Sequence, residues 1–402
     1  INPYADGNKG WNLTADAVKG KPWSVINTAI EAVIANIATD ENFMMASAGK
    51  GTGIEGVLTK VTVHKPTAYT SEAIDQAKTD AQNSPTEISV DRLSAKVELA
   101  VKDPFSTKPD GAKFTFGGWE LSVTNKSVKL YSELITYDNA TTGAVYRRDK
   151  NYLKSEQPDI SDNSTMETNM DAAFNYLKNI DSDTDPIPEI KRDKGTSCYC
   201  LENTMDANAQ QLGFTTKVVV KATYTPNGLT PNSSYFSWKG NYYTLEQLKE
   251  EYTKTGSGGL KTDLPIFLKK AKLVAGDADQ STIDNFITNL QANGLTAKTG
   301  IIGRFCAVRY YHESVCYYDV LIRHDQNVTE KMALGRYGVV RNNWYHLELR
   351  SVSGPGTPWI PDPSDPENPT PPGTDDDESD AYLSVKISIN PWTYWTQGVD
   401  LH

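Results

Sequence analysis

Apolar and polar positions along this chain alternate with a period of two more often than with the period of a helix. The clearest run lies near the C-terminus. Leu383, Val385, Ile387 and Ile389 point one way, and Ser384, Lys386 and Ser388 the other, as in a half-buried β-strand. Ile88–Val101 reads as a long strand, with Val97, Leu99 and Val101 alternating against Lys96, Glu98 and Ala100. Further strands are predicted at Phe114–Phe116, Trp119–Val123, Ser127–Tyr131, Lys217–Tyr224 and Trp344–Val352,. Ile302–Val308 and Ser314–Ile322 read as a strand pair, and Phe43–Ala46 and Val57–Val63 as strands around a Gly-rich turn at 49–56.

Helical spacing is rarer. Trp23, Ile26, Ile30, Val33, Ile34 and Ile37 share one helical face, with Ser24 as its cap,. Met166–Ile180 is predicted helical through Met170, Phe174, Tyr176 and Leu177. Thr244 and Gln247 form a capping box ahead of Leu245–Tyr252,. Ser281–Leu290 is amphipathic and stops at Asn293-Gly294,. Residues 66–87 are polar, either loop or helix, and 135–195 are loop-rich.

Strands with few helices define a β-rich α+β protein with two sandwich-like domains. The expected division is 1–150, an N-terminal β-sandwich; 151–353, a C-terminal β-sandwich; 354–380, a Pro/Gly/Asp-rich linker; and 381–402, a C-terminal strand. That linker of 27 residues far exceeds the usual connection,. A free apolar strand on such a tether must find a sheet, its own or a neighbour's. Burying four aliphatic side chains gives a gross gain of about 10 kcal/mol.

Composition narrows the function. The chain is 38% hydrophobic, with 21 tyrosines and a net charge of −11. Polar outer sheet faces fit this profile. The absence of a long Lys/Arg run argues against nucleic acid as a partner. No stretch of about 18 apolar residues is present to span a bilayer as a helix. Ile1 in place of a start methionine points to a processed or trimmed form.

Cys198, Cys200, Cys306 and Cys316 are an even set. One or two candidate disulfides between the 198–200 pair and the 306–316 pair are expected in an oxidising compartment. The rival, a four-thiolate zinc site, lacks the usual knuckle spacing.

Two blocks together resemble a known family. One is Ile88-Ser-Val-Asp-Arg-Leu-Ser-Ala-Lys-Val-Glu-Leu with Phe116-Gly-Gly-Trp-Glu-Leu-Ser-Val-Thr-Asn. The other is Tyr337-Gly-Val-Val-Arg-Asn-Asn-Trp-Tyr-His-Leu-Glu-Leu, followed by Ser351-Val-Ser-Gly-Pro-Gly, the linker and Ile387-Ser-Ile-Asn-Pro-Trp392. They resemble the fimbrillins of the Bacteroidales, the type V pilins, and most closely the Mfa-type shaft subunit of short fimbriae. The resemblance implies transthyretin-like domains and a lipoprotein precursor. It implies maturation by an Arg-specific protease that removes an N-terminal strand, and polymerisation by donor-strand exchange into a head-to-tail filament. On this reading Leu383, Val385, Ile387, Ile389, Trp392, Val399 and Leu401 form the donor. Identical pilin subunits, accessory anchor and tip proteins, and host or bacterial surface receptors are the implied partners. The place is the cell surface, in a fimbria anchored at the outer membrane, and the roles are adhesion and biofilm formation. The alternative is a monomeric or tip-located adhesin whose Tyr235, Trp238, Tyr242 and Tyr243 stack on sugars.

Catalytic and metal patterns are weak, and neither an enzyme nor a cofactor is expected. His64, His312, His324, His346 and His402 fall in no ligand motif,. Gly256-Ser-Gly-Gly259 lacks the setting of a nucleophile elbow, and Ala48-Gly-Lys-Gly-Thr52 lacks the G-K-[ST] of a phosphate loop,. Asp181, Asp183 and Asp185 alternate as in a calcium loop, but Pro186 stands where glycine is needed,. That stretch, like the run Asp375–Asp380, reads as solvated charge.

Overall fold

The computed structural model describes residues 19–27, 30–31, 34–39, 43–48, 60–136, 145–179, 190–254, 259–378 and 383–391. The turn at 49–56, the acidic loop 181–185, and Trp392, Val399, Leu401 and His402 lie outside them.

Two sheets face each other across the main core. The first has the order β3-β1-β9-β10, from Ser197–Leu201 (β3), Ser94–Thr107 (β1), Asn343–Val352 (β9) and Leu383–Pro391 (β10). The second has the order β8-β4-β2, from Val315–Leu321 (β8), Lys217–Thr225 (β4) and Lys113–Ser122 (β2). Alternation places Ala95, Val97 and Leu99 of β1 and Tyr345, Leu347 and Leu349 of β9 inward. They meet Val218, Val220, Ala222 and Tyr224 of β4 and Trp119 of β2. All pairings are antiparallel except β1 with β9, which run parallel. Strand β4 carries the run Val218-Val-Val220 because both its faces are covered,. Val219 packs outward on Ile190, Tyr317 and Ile360.

A third sheet, β6-β5-β7, joins Asn241–Tyr243 (β6), Tyr235–Trp238 (β5) and Val308–Tyr311 (β7). Its tyrosines are dense because its two faces serve different cores. Tyr235 and Tyr311 stack at 4.6 Å and enter the sandwich, while Phe236 and Tyr310 face a helical layer. That layer comprises helices Leu245–Lys254, Leu260–Lys270 and Gln280–Asn289. The capping box forms as expected: the Thr244 N–H donates to Gln247 Oε1 at 2.8 Å, and the Gln247 N–H to Thr244 Oγ1 at 3.2 Å.

The β-rich α+β class stands, but several boundaries differ. Strands from both sides of residue 150 share one sandwich, because β1 inserts between β3 and β9. The expected split therefore does not divide the core. Within 23–37 the described residues form two single helical turns, Trp23–Ile26 and Ile34–Ile37, and a strand Ile30–Glu31 paired with Ser127–Val128. β-Branched residues favour that outcome, and the Asn27 side chain exchanges two 2.9 Å hydrogen bonds with the Tyr131 backbone. Residues 60–63 are not a strand, and Val61 and Val63 are exposed. The polar segment after them forms a helix, Ser71–Asn83, capped by Thr70. The helix expected at 166–180 spans Asn163–Ala173.

Strands β7 and β8 pair with β5 and β4, not with each other. A corner at Glu313 and Ser314, both with positive φ, swings the chain from one sheet to the next. Ser314 Oγ secures it by donating to the Ser233 carbonyl at 2.8 Å.

Candidate functional site: the C-terminal strand, its seat and its strap

Strand β10 is the outermost member of the four-stranded sheet and lies antiparallel on β9 of its own chain. Register partners are Tyr345 with Ile389, Leu347 with Ile387 and Leu349 with Val385. A bulge between Leu349 and Ser351 interrupts β9 on both sides.

The seat is built from the Tyr337–Leu349 block. Gly338 has φ of +115°, and a Cβ there would meet Tyr146 Oη at 2.6 Å and the Asn203 carbonyl at 2.9 Å, so only glycine fits,. The Val339 N–H donates to the Asn203 carbonyl at 2.7 Å, and the Asn203 N–H returns a bond to the Val339 carbonyl at 2.8 Å. Arg341 is buried against Glu202 at 2.9 Å, with side chains 2% and 0% exposed. Its guanidinium also donates to the carbonyls of Leu130 and Lys129. Asn342, at φ +61°, turns the chain into β9 and donates to Asp91 Oδ1 at 3.1 Å. Tyr345 Oη lies 2.8 Å from His324 Nδ1 and accepts the Val340 N–H at 2.8 Å. These are bonds of construction; they hold the strand that β10 covers.

Residues 354–378, expected as a loose linker, form a strap fastened along the molecule. Pro355, Gly356, Pro358, Trp359, Ile360, Asp362, Pro363 and Ser364 are buried. Thr357 and Tyr317 exchange backbone hydrogen bonds of 2.8 and 2.9 Å. Farther along, Leu212 N–H donates to the Thr374 carbonyl at 2.9 Å and Asp376 N–H to the Gln210 carbonyl at 3.2 Å. Arg304 pairs with Asp365 and Glu367, both at 2.6 Å. Proline and glycine supply the irregular backbone here, but Trp359 and Ile360 give it an apolar side to bury.

Within the acidic run, Asp376 is buried and Asp377 half-buried, whereas Asp375 and Glu378 are exposed. Asp377 accepts from Arg336 at 2.7 Å and from the Tyr337 hydroxyl at 2.8 Å. Burial works against its charge, but the Arg336 guanidinium, the Met332 N–H and the Tyr337 hydroxyl hold its carboxyl below the usual range. Burial pushes the neighbouring Asp376 up to about 7, opposed by the Thr215 hydroxyl and reinforced by Asp377.

A pH dependence follows. Below pH 3.8, the ordinary value, Asp376 is protonated whether folded or unfolded and costs nothing. As pH rises toward about 7, the unfolded chain ionises first and folding is disfavoured; above that the penalty is constant. Asp376→Asn should therefore raise stability at pH 8 by about 2–4 kcal/mol and leave it unchanged near pH 4. Urea titrations at both pH values check this; an equal difference at the two would refute it.

All four cysteines are free, against the expected disulfides. Cys198, Cys200 and Cys316 are buried in the sandwich, whereas Cys306 packs against the helical layer. They behave as small apolar groups. Burial pushes the Cys198 thiol up to about 12 and the Cys316 thiol up to about 11. No cluster of three or more His, Cys, Asp or Glu suited to a metal occurs among the described residues. His324 is buried beside Tyr345, and His346 lies 3.6 Å from Glu98 across the β1–β9 pair. Of the aromatics that the alternative adhesin reading offers to sugars, Tyr235 and Trp238 are buried, with Trp238 Nε1 donating to Asp263 at 2.8 Å, whereas Tyr242 and Tyr243 are half-buried. The strap was missed in sequence because its composition is that of a tether; the pair Trp359-Ile360 was the available signal.

Comparison with known proteins places this region. Residues 309–398 match the family model described as "Major fimbrial subunit protein type IV, Fimbrillin, C-terminal". The stretch from β7 through the C-terminal strand is thus similar to a fimbrillin C-terminal region, in line with the resemblance in the sequence. No curated protein matches the chain. Among solved structures, a fimbrilin from Porphyromonas gingivalis W83 is similar at 18% identity over 77% of this chain and 61% of its own, with a TM-score of 0.29. A protein from Parabacteroides distasonis described as a cell adhesion protein is similar at 14% identity over 77% of this chain and 55% of its own, also at 0.29. A second protein so described, from the same organism, covers 93% of this chain and 78% of its own at 13% identity and a TM-score of 0.34. The chain thus spans 55% and 61% of the length of the first two.

Proposed function

We propose that this chain is a structural subunit of a bacterial surface fimbria, assembled by exchange of its C-terminal strand between copies. The observation that carries the reading is the edge position of β10, within a region that matches the fimbrillin C-terminal model. An edge strand is held on one side only, and the backbone bonds and alternate side chains it offers are the same to a neighbouring copy as to its own sheet. A head-to-tail contact that does not close on itself yields a filament. Arg-specific removal of an N-terminal segment, display at the cell surface, anchoring at the outer membrane and service in adhesion and biofilm complete the reading.

Electron microscopy tests it. The full-length chain and a version ending at Asp380 are incubated with an Arg-specific protease. Filaments from the full-length chain alone are the expected result. Filaments from both would refute the role of the C-terminal strand. Filaments from neither would favour a monomeric or tip-located adhesin, for which the burial of Tyr235 and Trp238 leaves a weaker case.

A further inference from the structure

We infer that the strap 354–378 stays fastened to its own subunit during exchange, so that only the chain beyond Glu378 changes partner. This rests on the strand-exchange reading above and fixes its geometry.

The sequence alone offers a long tether: Val352 and Leu383 are separated by about 31 peptide steps, an extended reach of about 100 Å. The structure divides that length into two unequal parts. The first is held at both ends and between. It begins with the Thr357–Tyr317 bridge, with the Tyr311 hydroxyl on the Gly356 carbonyl at 2.9 Å and the Tyr318 hydroxyl on the Gly354 carbonyl at 2.9 Å. Trp359 and Ile360 are 4% and 0% exposed, and the Asn179 side chain brackets Ile360 with two bonds to its backbone. Arg304 clasps Asp365 and Glu367. The far end closes on the Gln211–Asp375 bridge, Thr215 against Asp376, and Arg336 and Tyr337 against Asp377. Releasing it would expose buried apolar side chains and strand the charged groups of Arg336 and Asp377, whose side chains are 9% and 7% exposed,. The second part is β10, whose described pairing is a single ladder to β9.

Physical chemistry then orders the two events: the single ladder opens first, and the strap remains. A released strand starts from Glu378, and the five steps to Leu383 extend at most about 18 Å. The accepting edge of the next copy must therefore lie that close to the donor's Asp377–Arg336 clasp. Neighbouring subunits dock directly and are not strung on a long flexible linker.

Two engineered disulfides test this. Gln211 and Asp375 oppose each other in an antiparallel bridge whose flanking bonds, Leu212 to Thr374 and Asp376 to Gln210, mark a non-hydrogen-bonded pair. That is the pair type with the closest Cα atoms, near the spacing a disulfide needs. Gln211→Cys with Asp375→Cys locks the strap. His346→Cys with Ser388→Cys, partners in the β9–β10 register, locks the strand. Each is compared oxidised and reduced, with filament mass read by sedimentation and microscopy and folding by circular dichroism. The expected result is wild-type assembly from the strap-locked protein in both states, and no assembly from the strand-locked protein until it is reduced. If oxidation blocks both and reduction restores both, the strap must peel and the inference is overturned. If the strand lock blocks nothing, the exchange reading itself fails.

Discussion

Arg341→Ala should lower the unfolding free energy by about 3–5 kcal/mol. The reason is the company Arg341 keeps. Its partner Glu202 is fully buried, so removing the guanidinium leaves a carboxylate with no comparable counter-charge. The same side chain donates to the carbonyls of Leu130 and Lys129, which lose those partners together,. The effect should appear as a shifted urea midpoint with little change in slope. Replacing both partners, Arg341→Leu with Glu202→Leu, should recover much of the loss, because the cost lies in the stranded charge. A single variant within about 1 kcal/mol of the parent would contradict the account.

Tyr345→Ala should cost about 3–5 kcal/mol and disturb the seat of the C-terminal strand at the same time. Tyr345 is 0% exposed and packs in the sandwich core. Its hydroxyl accepts the Val340 N–H and meets His324 Nδ1, so it joins the Tyr337–Arg341 segment to β9. Tyr345→Phe separates the two contributions. It keeps the ring and removes the hydroxyl, and should cost about 1–3 kcal/mol through the buried groups left without that partner. Thermal unfolding of the pair, with proteolysis of the C-terminal segment as a second readout, distinguishes cavity from hydrogen bond. Equal losses for both variants would mean that the ring contributes nothing, which its burial contradicts.

The strands were legible in sequence wherever one face is buried and the other is not. Ala95, Val97 and Leu99 of β1 and Tyr345, Leu347 and Leu349 of β9 alternate in the sequence as they do in the sandwich. The capping box at Thr244 was legible for the same reason, since both partners lie within one turn. The segment 23–37 misled because Ile and Val at helical spacing are also good strand residues, and its pairing with Ser127–Val128 is decided about 100 residues away,.

The sequence by itself determined the class of the fold, the existence of an apolar C-terminal strand and the family its C-terminal region resembles. These rest on period, composition and local motif, which need no knowledge of what lies across the core. The tertiary structure alone decided three further things. Strand β1 lies between β3 and β9, which merges the expected halves into one sandwich. The cysteines remain free, with Cys306 in a different core from the other three. Residues 354–378 form a fastened strap rather than a tether, because Arg304, Arg336 and Tyr317 supply partners that no local pattern reveals. Each depends on contacts between residues distant in the chain, where backbone pairing and charge compensation are settled by which surfaces meet.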